Sequence, residues 1–461
     1  MTITWRFLRN AALTTAAIAW LGLLARSEAA PPYRVLVITL DTTRADRLSP
    51  YGFMNVTLPH LERLAREGVV FDQATTVAPL TLPAHTSLFT GLLPPRHGVR
   101  DNADPPLADA ATTLAEVLGA RGLRTGAFVG SVVLDPDRGL KQGFQHYSGV
   151  NRSNPTGPGE RQRRAGDVVS DALNWLDGVG ASPFFAWAHL YDAHRPYDPP
   201  EPFASTYAHN PYVGEIAYAD SQVGRLLAGL ERRRLLDRTI VVVAGDHGES
   251  LGERGARDHG VFIYENVMRV PLIIRAPGMA PRRINDVVRL TDIMPTLLDL
   301  MGLPAQPGLD GISVTRLMRG LVQDLDLEAY AESVYPERYG WSALRALRVG
   351  RYKLIDAPRP ELFDLWRDPF EETNIHESRK DLAATMRARA SALAALAQPG
   401  ARQDRPAVAA DVRERLTGLG YVVSDRARPS TGPSQLPDPK DMVFLLNPDN
   451  RVPVRTGPAR R

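Results

Sequence analysis

The chain has 461 residues, 44% of them hydrophobic, which is enough for a sizeable core; the length exceeds one average domain but suits a large single-core α/β enzyme. The net charge is only +3 and the basic residues, nearly all arginine, are scattered, so charge implies no nucleic-acid partner. Cysteine is absent, which excludes disulfides, a lipid-attachment cysteine and thiolate ligands; any metal must be held by oxygen and nitrogen.

At the N-terminus, Arg6 and Arg9 precede the apolar stretch Ala11–Leu24, then Ser27, Glu28 and Ala29. A positive segment, a short apolar segment and a small-x-small site predict a secretory signal peptide over residues 1–29. The apolar run, about 14 residues, falls short of the roughly 20 that span a bilayer. The chain is therefore expected to be secreted or periplasmic, with no transmembrane domain; an uncleaved anchor is the alternative.

Val35–Leu40 is a continuous apolar run, as a buried parallel strand requires, and it stops on Asp41. Leu58–Gly68 has helical spacing, with Gly68 as its C-cap. A helix is predicted from Pro83 to about Thr90 with Gly91 behind it, then a helix over Thr113–Ala120, a strand over Thr125–Val129 and a helix over Ala165–Leu176. FFAWAHLYD ends a strand on Asp192, and TIVVVAGDHG ends one on Asp246 and His247. Leu272–Arg275 is a short strand and Asp292–Met301 a helix. Such alternation predicts a doubly wound, mostly parallel α/β sheet with helices on both faces, spanning residues 30–326. Strands at Ala343–Val349 and Tyr352–Ile355, with Gly350 at the turn, and a helix over Ser378–Leu396 predict a smaller C-terminal α/β subdomain over residues 327–397. Residues 398–461, rich in Pro, Arg, Asp and Ser, are expected to be extended or disordered apart from Val412–Leu419.

In an open α/β sheet, ligands gather beyond the carboxyl ends of the strands. A lone Asp41 would most often cap a helix; the acid and imidazole ending another strand, Asp246 and His247, point instead to a metal. Carboxylate plus imidazole without sulfur suits Zn²⁺ or Mn²⁺, and Gly245 and Gly248 permit tight turns around the pair. Thr81 stands at the start of a helix, where free N–H groups favour an anion. A hydroxyl held there by a metal can attack phosphorus or sulfur; the plainer role is a helix cap.

The stretches VLVITLDTTRADRLSPYG, TLPAHTSLFTGLLPPRHGVRDN, VVVAGDHGESLGERGARDHGVFIYE, RVPLIIRAPG and PELFDLWRDPFEETNI, in that order, resemble the alkaline phosphatase–sulfatase superfamily over roughly Tyr33 to Ile375. The resemblance implies a Thr81 nucleophile and a metal held by Asp41, Thr81, Asp246 and His247. True sulfatases open this motif with Cys or Ser, oxidised to formylglycine, then have Pro at the third position and Arg at the fifth. Here Thr81, Pro83 and His85 stand instead, so an aldehyde-hydrate mechanism is not expected. The pattern T-x-P-x-H-x-S-L-x-T-G is similar to nucleotide pyrophosphatase/phosphodiesterases, which use an unmodified threonine; there an Asn matching Asn102 steadies the phosphoryl oxygens.

The likeness also places His194 and His259 either as substrate contacts or, with Asp192, as ligands of a second metal. His189 is expected to be structural, His97 to brace a loop, and Arg44 either to orient Asp41 or Asp246 or to touch the substrate. The expected protein is an exported hydrolase of small-molecule or cell-envelope phosphate or sulfate esters, phosphodiester-type substrates foremost. It would use one or two divalent ions, Zn first, with Mn or Ca as alternatives. A sulfatase with unmodified Thr81, a phospho-group transferase and an inactive binding protein on the same scaffold are the other readings.

Overall fold

The computed structural model describes residues 34–150, 162–396, 410–418, 421–423 and 436–446. The expected signal peptide, residues 1–29, lies outside the described residues. Twelve strands form two sheets among them: β1 (Arg34–Leu40), β2 (Val69–Thr75), β3 (Arg124–Val129), β4 (His146–Ser148), β5 (Phe184–Leu190), β6 (Thr239–Gly245), β7 (Leu272–Arg275), β8 (Arg282–Arg289), β9 (Glu328–Ser333), β10 (Leu344–Val349), β11 (Tyr352–Asp356) and β12 (Glu361–Asp364).

The larger sheet has the order β4-β3-β5-β1-β6-β7-β2-β8, and only β7 runs antiparallel to its neighbours. Its central strands are buried along their whole length, as a sheet covered on both faces requires. Side chains alternate between two cores. Val35, Val37, Phe185 and Trp187 pack on the side of helix Thr81–Thr90. Leu36, Ile38, Ala186 and Ala188 pack on the opposite side, with helices Pro59–Glu67, Ala165–Val179 and Pro211–Arg232. The smaller sheet, β12-β11-β10-β9, is antiparallel. One of its faces packs with helix Lys380–Ala394 through Leu347, Leu354, Leu362, Ala383 and Met386. A buried Arg100–Glu332 ion pair and the Glu332 N–H to Val77 carbonyl bond (3.0 Å) tie β9 to the loops of the larger sheet.

One local expectation changes. Gly68 follows helix Pro59–Glu67 with φ −129°, not in a left-handed cap. The position needs glycine because a Cβ there would lie 2.7 Å from the Ile274 carbonyl oxygen. In the C-terminal stretch the helix Ala410–Gly418 falls on the excepted Val412–Leu419, and beyond it Tyr421 and Val443 join Leu416 in the main core. Single apolar residues in a polar stretch carry no periodic signal, so their burial was invisible to patterning.

Candidate active site

Strands β5, β1 and β6 are adjacent, so their carboxyl ends share one rim of the sheet. The ladder continues one residue beyond the strands. The Asp41 N–H donates to the Leu190 carbonyl (2.9 Å) and the Asp246 N–H to the Leu40 carbonyl (3.4 Å), which fixes both acids in sheet register. Neighbouring backbone comes too close for larger residues: a Cβ on Gly248 would meet the Asn266 carbonyl oxygen at 2.2 Å, and one on Gly245 would meet the Pro271 ring at 2.7 Å.

Three lone-pair acceptors converge here. His247 Nδ1 lies 3.0 Å from the Gly248 carbonyl, which can only accept, so Nδ1 carries the proton and Nε2 the lone pair. That bare Nε2 sits 3.5 Å from Asp246 Oδ2 and 3.9 Å from Asp41 Oδ1. Both oxygens are buried without a hydrogen-bond partner. The other oxygen of each acid is satisfied: Asp246 Oδ1 accepts from the N–H groups of Thr42 (3.1 Å) and His247 (2.7 Å), and Asp41 Oδ2 faces His189 Nε2 at 3.1 Å. The Gly130 N–H donates to His189 Nδ1 (3.3 Å), so the His189 proton is on Nε2 and points at Asp41. Burial lifts the Asp41 carboxyl to about 7, against the opposing pull of His259, and lifts Asp246 well above the usual carboxylate range, with Asp41 adding to the rise. Burial also holds His247 neutral. Three acceptors facing one another in a dry site repel unless a cation lies among them or one carboxyl keeps its proton. Asp41, Asp246 and His247 together have the spacing of a metal centre.

Thr81 begins helix Thr81–Thr90, after an extended Leu80, and its Oγ1 lies 3.3 Å from His247 Nε2. Two further side chains hold this first turn. Asn102 Oδ1 accepts from the Leu82 N–H (2.9 Å), while its Nδ2 is buried without a partner. His85 Nδ1 donates to the Thr81 carbonyl (2.8 Å). His85 Nε2 therefore accepts from the Thr39 hydroxyl (2.9 Å), whose oxygen accepts from Trp187 Nε1 (2.9 Å). This chain anchors the backbone of residue 81 to β1 and β5. Both His85 and His189 also lie within ligand range of Asp246, but their N–H groups are already committed to Thr81 and Asp41.

His194 and His259 sit side by side, ring centroids 5.0 Å apart, and His259 lies 4.5 Å from the ring of His247. His194 Nδ1 donates to the Arg195 carbonyl (2.7 Å), leaving Nε2 as a buried lone pair without a partner; burial, then the charge of His259, depress its pKa to about 3. Burial alone would lower His259 as well, but Glu249 (3.3 Å) and Asp258 (3.0 Å) at Nδ1 outweigh that and hold it well above its ordinary range. Asp192 does not join these two histidines. Both of its oxygens accept from the Ala165 N–H (3.1 and 3.0 Å), so it caps helix Ala165–Val179. The acids that do meet His259 are Glu249 and Asp258.

Arg44 orients neither metal-site acid; it is paired with Asp46 (2.8 Å) and Glu253 (2.6 Å). Lys353 is buried between Glu265 (2.8 Å) and Glu371 (2.9 Å). His97 braces its loop through Ser87 (2.9 Å) and the Val99 N–H (3.1 Å). Sequence reasoning gave no role to His85, Glu249 or Tyr421, and left His189 structural although it orients Asp41. The available signal for His189 was parity: it pairs with Thr39 on β1, two residues before Asp41, hence on the same face.

The sulfatase family profile matches residues 34–303, and the profile of the N-sulphoglucosamine sulphohydrolase C-terminal region matches residues 252–396. Among curated proteins, the chain is 28% identical over 402 residues to an ulvan-active sulfatase of Formosa agariphila, covering 76% of this chain and 78% of that one. It is likewise 28% identical over 434 residues to a choline-sulfatase of Rhizobium meliloti, covering 75% and 82%. The fold is similar to the phosphonate monoester hydrolase of Agrobacterium radiobacter, with a TM-score of 0.64, 23% identity, and coverage of 79% of this chain and 95% of that one.

Proposed function

This chain belongs to the sulfatase family, and we propose that it hydrolyses sulfate monoesters with Thr81 itself, unmodified, as the nucleophile. One observation carries the reading: the Thr81 hydroxyl lies 3.3 Å from the bare His247 Nε2, which itself faces the unpartnered Asp246 Oδ2 at 3.5 Å and Asp41 Oδ1 at 3.9 Å. Asp41, Asp246, His247 and Thr81 fit a single divalent cation. Two carboxylates with an imidazole suit Zn²⁺ or Mn²⁺, and the oxygen-rich remainder leaves Ca²⁺ as the alternative. When bound, such an ion supplies Lewis-acid stabilisation of negative charge and an acidified hydroxyl.

The residues then divide the work. His85 and Asn102 hold the first turn of the helix, so Thr81 needs no reorganisation before attack. The Thr81 oxygen bonds to sulfur, the bond to the departing alcohol oxygen breaks with its electron pair, and the proton given up by the Thr81 hydroxyl ends on that oxygen, so the alcohol leaves neutral. A sulfate ester remains on Thr81, and water cleaves it in a second step. Asn102 Nδ2, a buried donor without a partner, suits a developing oxyanion. His194 Nε2, a buried lone pair, suits a hydrogen bond that orients the incoming water, and His259 supplies positive charge beside His247. Arg44 and Lys353 are engaged by carboxylates elsewhere, so the site suits a singly charged tetrahedral group better than a dianion.

Phosphate diesters and phosphonate monoesters carry the same single charge. The threonine in place of Cys or Ser, with His85 where the Arg would stand, favours them as a second reading. We propose export to the periplasm or beyond on the strength of Arg6, Arg9 and Ala11–Leu24; among the described residues no helix is long and apolar enough to cross a membrane. A panel of aryl sulfate, phosphate mono- and diester, and phosphonate esters, run on the wild type and Thr81→Ala, tests the reading. Sulfate turnover that falls at least ~10³-fold in the variant is expected. Equal activity in the variant removes the covalent step, and a preference for diesters or phosphonates promotes the second reading.

A further inference from the structure

Both family profiles end by residue 396, yet a side chain from beyond that point reaches the active site. The Tyr421 hydroxyl lies 2.9 Å from His259 Nε2. We propose that Tyr421 is a positioning residue for His259, and hence that the C-terminal segment is part of the catalytic apparatus; the inference rests on the Thr81 centre being the hydrolytic site.

The chemistry of the His259 ring makes the contact consequential. On one side its Nδ1 faces Glu249 and Asp258; carboxylates only accept, so Nδ1 bears a proton. Nε2 is the one nitrogen left, and Tyr421 engages it. Held at both nitrogens, the imidazole has a fixed plane and position against His247 and His194. Held at Nδ1 alone, it could pivot about that contact. Partners that orient a functional histidine in this way typically contribute ~10–100-fold.

Tyr421 is itself anchored. It is 8% exposed. Its N–H donates to the Leu416 carbonyl (3.0 Å), the next N–H, of Val422, donates to the Tyr335 hydroxyl (3.0 Å), and its ring meets Tyr335 edge-on at 6.2 Å. Leu416 is buried in the same core as Tyr335. The phenol therefore arrives at His259 on a packed support that spans the C-terminal helix and the loop after β9.

The test uses the full chain with Tyr421→Phe, which keeps the ring and removes only the hydroxyl. Two readouts are taken: the ¹⁵N resonance of the His259 ring, assigned with His259→Gln, and kcat and KM on the best ester of the panel. The expected result is a shifted His259 Nε2 resonance, kcat lowered about tenfold or more, KM within threefold and an unchanged melting temperature. An unmoved resonance overturns the contact, and a moved resonance with unchanged kcat overturns the role. A rise in kcat/KM overturns it differently, by making Tyr421 a plug that substrate must displace. If the wild type turns over no ester, the Thr81 reading fails, and the resonance still reports on the pair independently.

Discussion

His247 Nε2 faces Asp246 Oδ2 at 3.5 Å, acceptor against acceptor, in a site with no solvent exposure. The tautomer is set by the Gly248 carbonyl behind the ring, so without an ion the clash is relieved only by a proton on one of the carboxyls, in keeping with the raised Asp41 and Asp246. The fold has gathered three acceptors whose mutual repulsion favours a cation among them over an empty site.

Chelation followed by dialysis should therefore lower the melting temperature and abolish turnover, and returning the ion should restore both. In the chelated state the ranking of variants inverts. Asp246→Asn replaces one converging acceptor with an amide and should melt higher than the chelated wild type, by about 1–4 kcal/mol in stability. With ion present it should bind poorly and be inactive. Metal content by elemental analysis and paired melting curves check both halves.

His189→Ala should weaken ion binding ~10–100-fold without removing a ligand. Its Nε2–H holds Asp41 Oδ2, so that Oδ1 is the oxygen left for the ion. Ion titration of the chelated protein measures the loss, and raised ion concentration should recover most of the activity.

Asn102→Asp separates two roles of one side chain. The carboxylate still accepts from the Leu82 N–H, but its second oxygen is buried without a partner, so the melting temperature should fall. The donor at Nδ2 is gone, and kcat should fall ~10²–10³-fold. Asn102→Ala should lose the same activity and about 1 kcal/mol of stability besides.

The placement of Asp192 gives a pH signature. Burial raises its carboxyl to about 7 despite the Ala165 N–H, so the folded state retains a proton that the unfolded chain has released. Its contribution to stability is therefore present at pH 4 and declines as pH rises towards 7. Asp192→Asn keeps an oxygen for Ala165 and cannot ionise. It should match the wild type near pH 4 and exceed it by on the order of 1 kcal/mol or more at pH 8, with ion stoichiometry unchanged. Denaturant melts at the two pH values decide it.

Much of the site was legible because it lies where patterns break. Asp41 and Asp246 end uninterrupted apolar runs, and helix Thr81–Thr90 is delimited in the sequence by Pro83 and Gly91, the latter at φ +66°. What failed to show was direction. Asp192 is two residues from His194 in sequence, but the chain turns after β5 and sends the two side chains to different partners. His189 gains its role only from the order β5-β1-β6, which no single strand encodes. The long helix Pro211–Arg232 carries Gly214, Gly224 and Gly229, which weaken its local signal. They are there because neighbours press close; a Cβ on Gly224 would lie 2.3 Å from the His60 ring.

The most direct measurement is the mass of the Thr81 peptide after an acid quench during turnover of an aryl sulfate. Thr81 as nucleophile predicts an unmodified threonine in the resting enzyme and, in the quenched sample, the same peptide heavier by one sulfuryl group. A resting peptide already altered at position 81, or a quenched peptide that never gains the group while product forms, would contradict it.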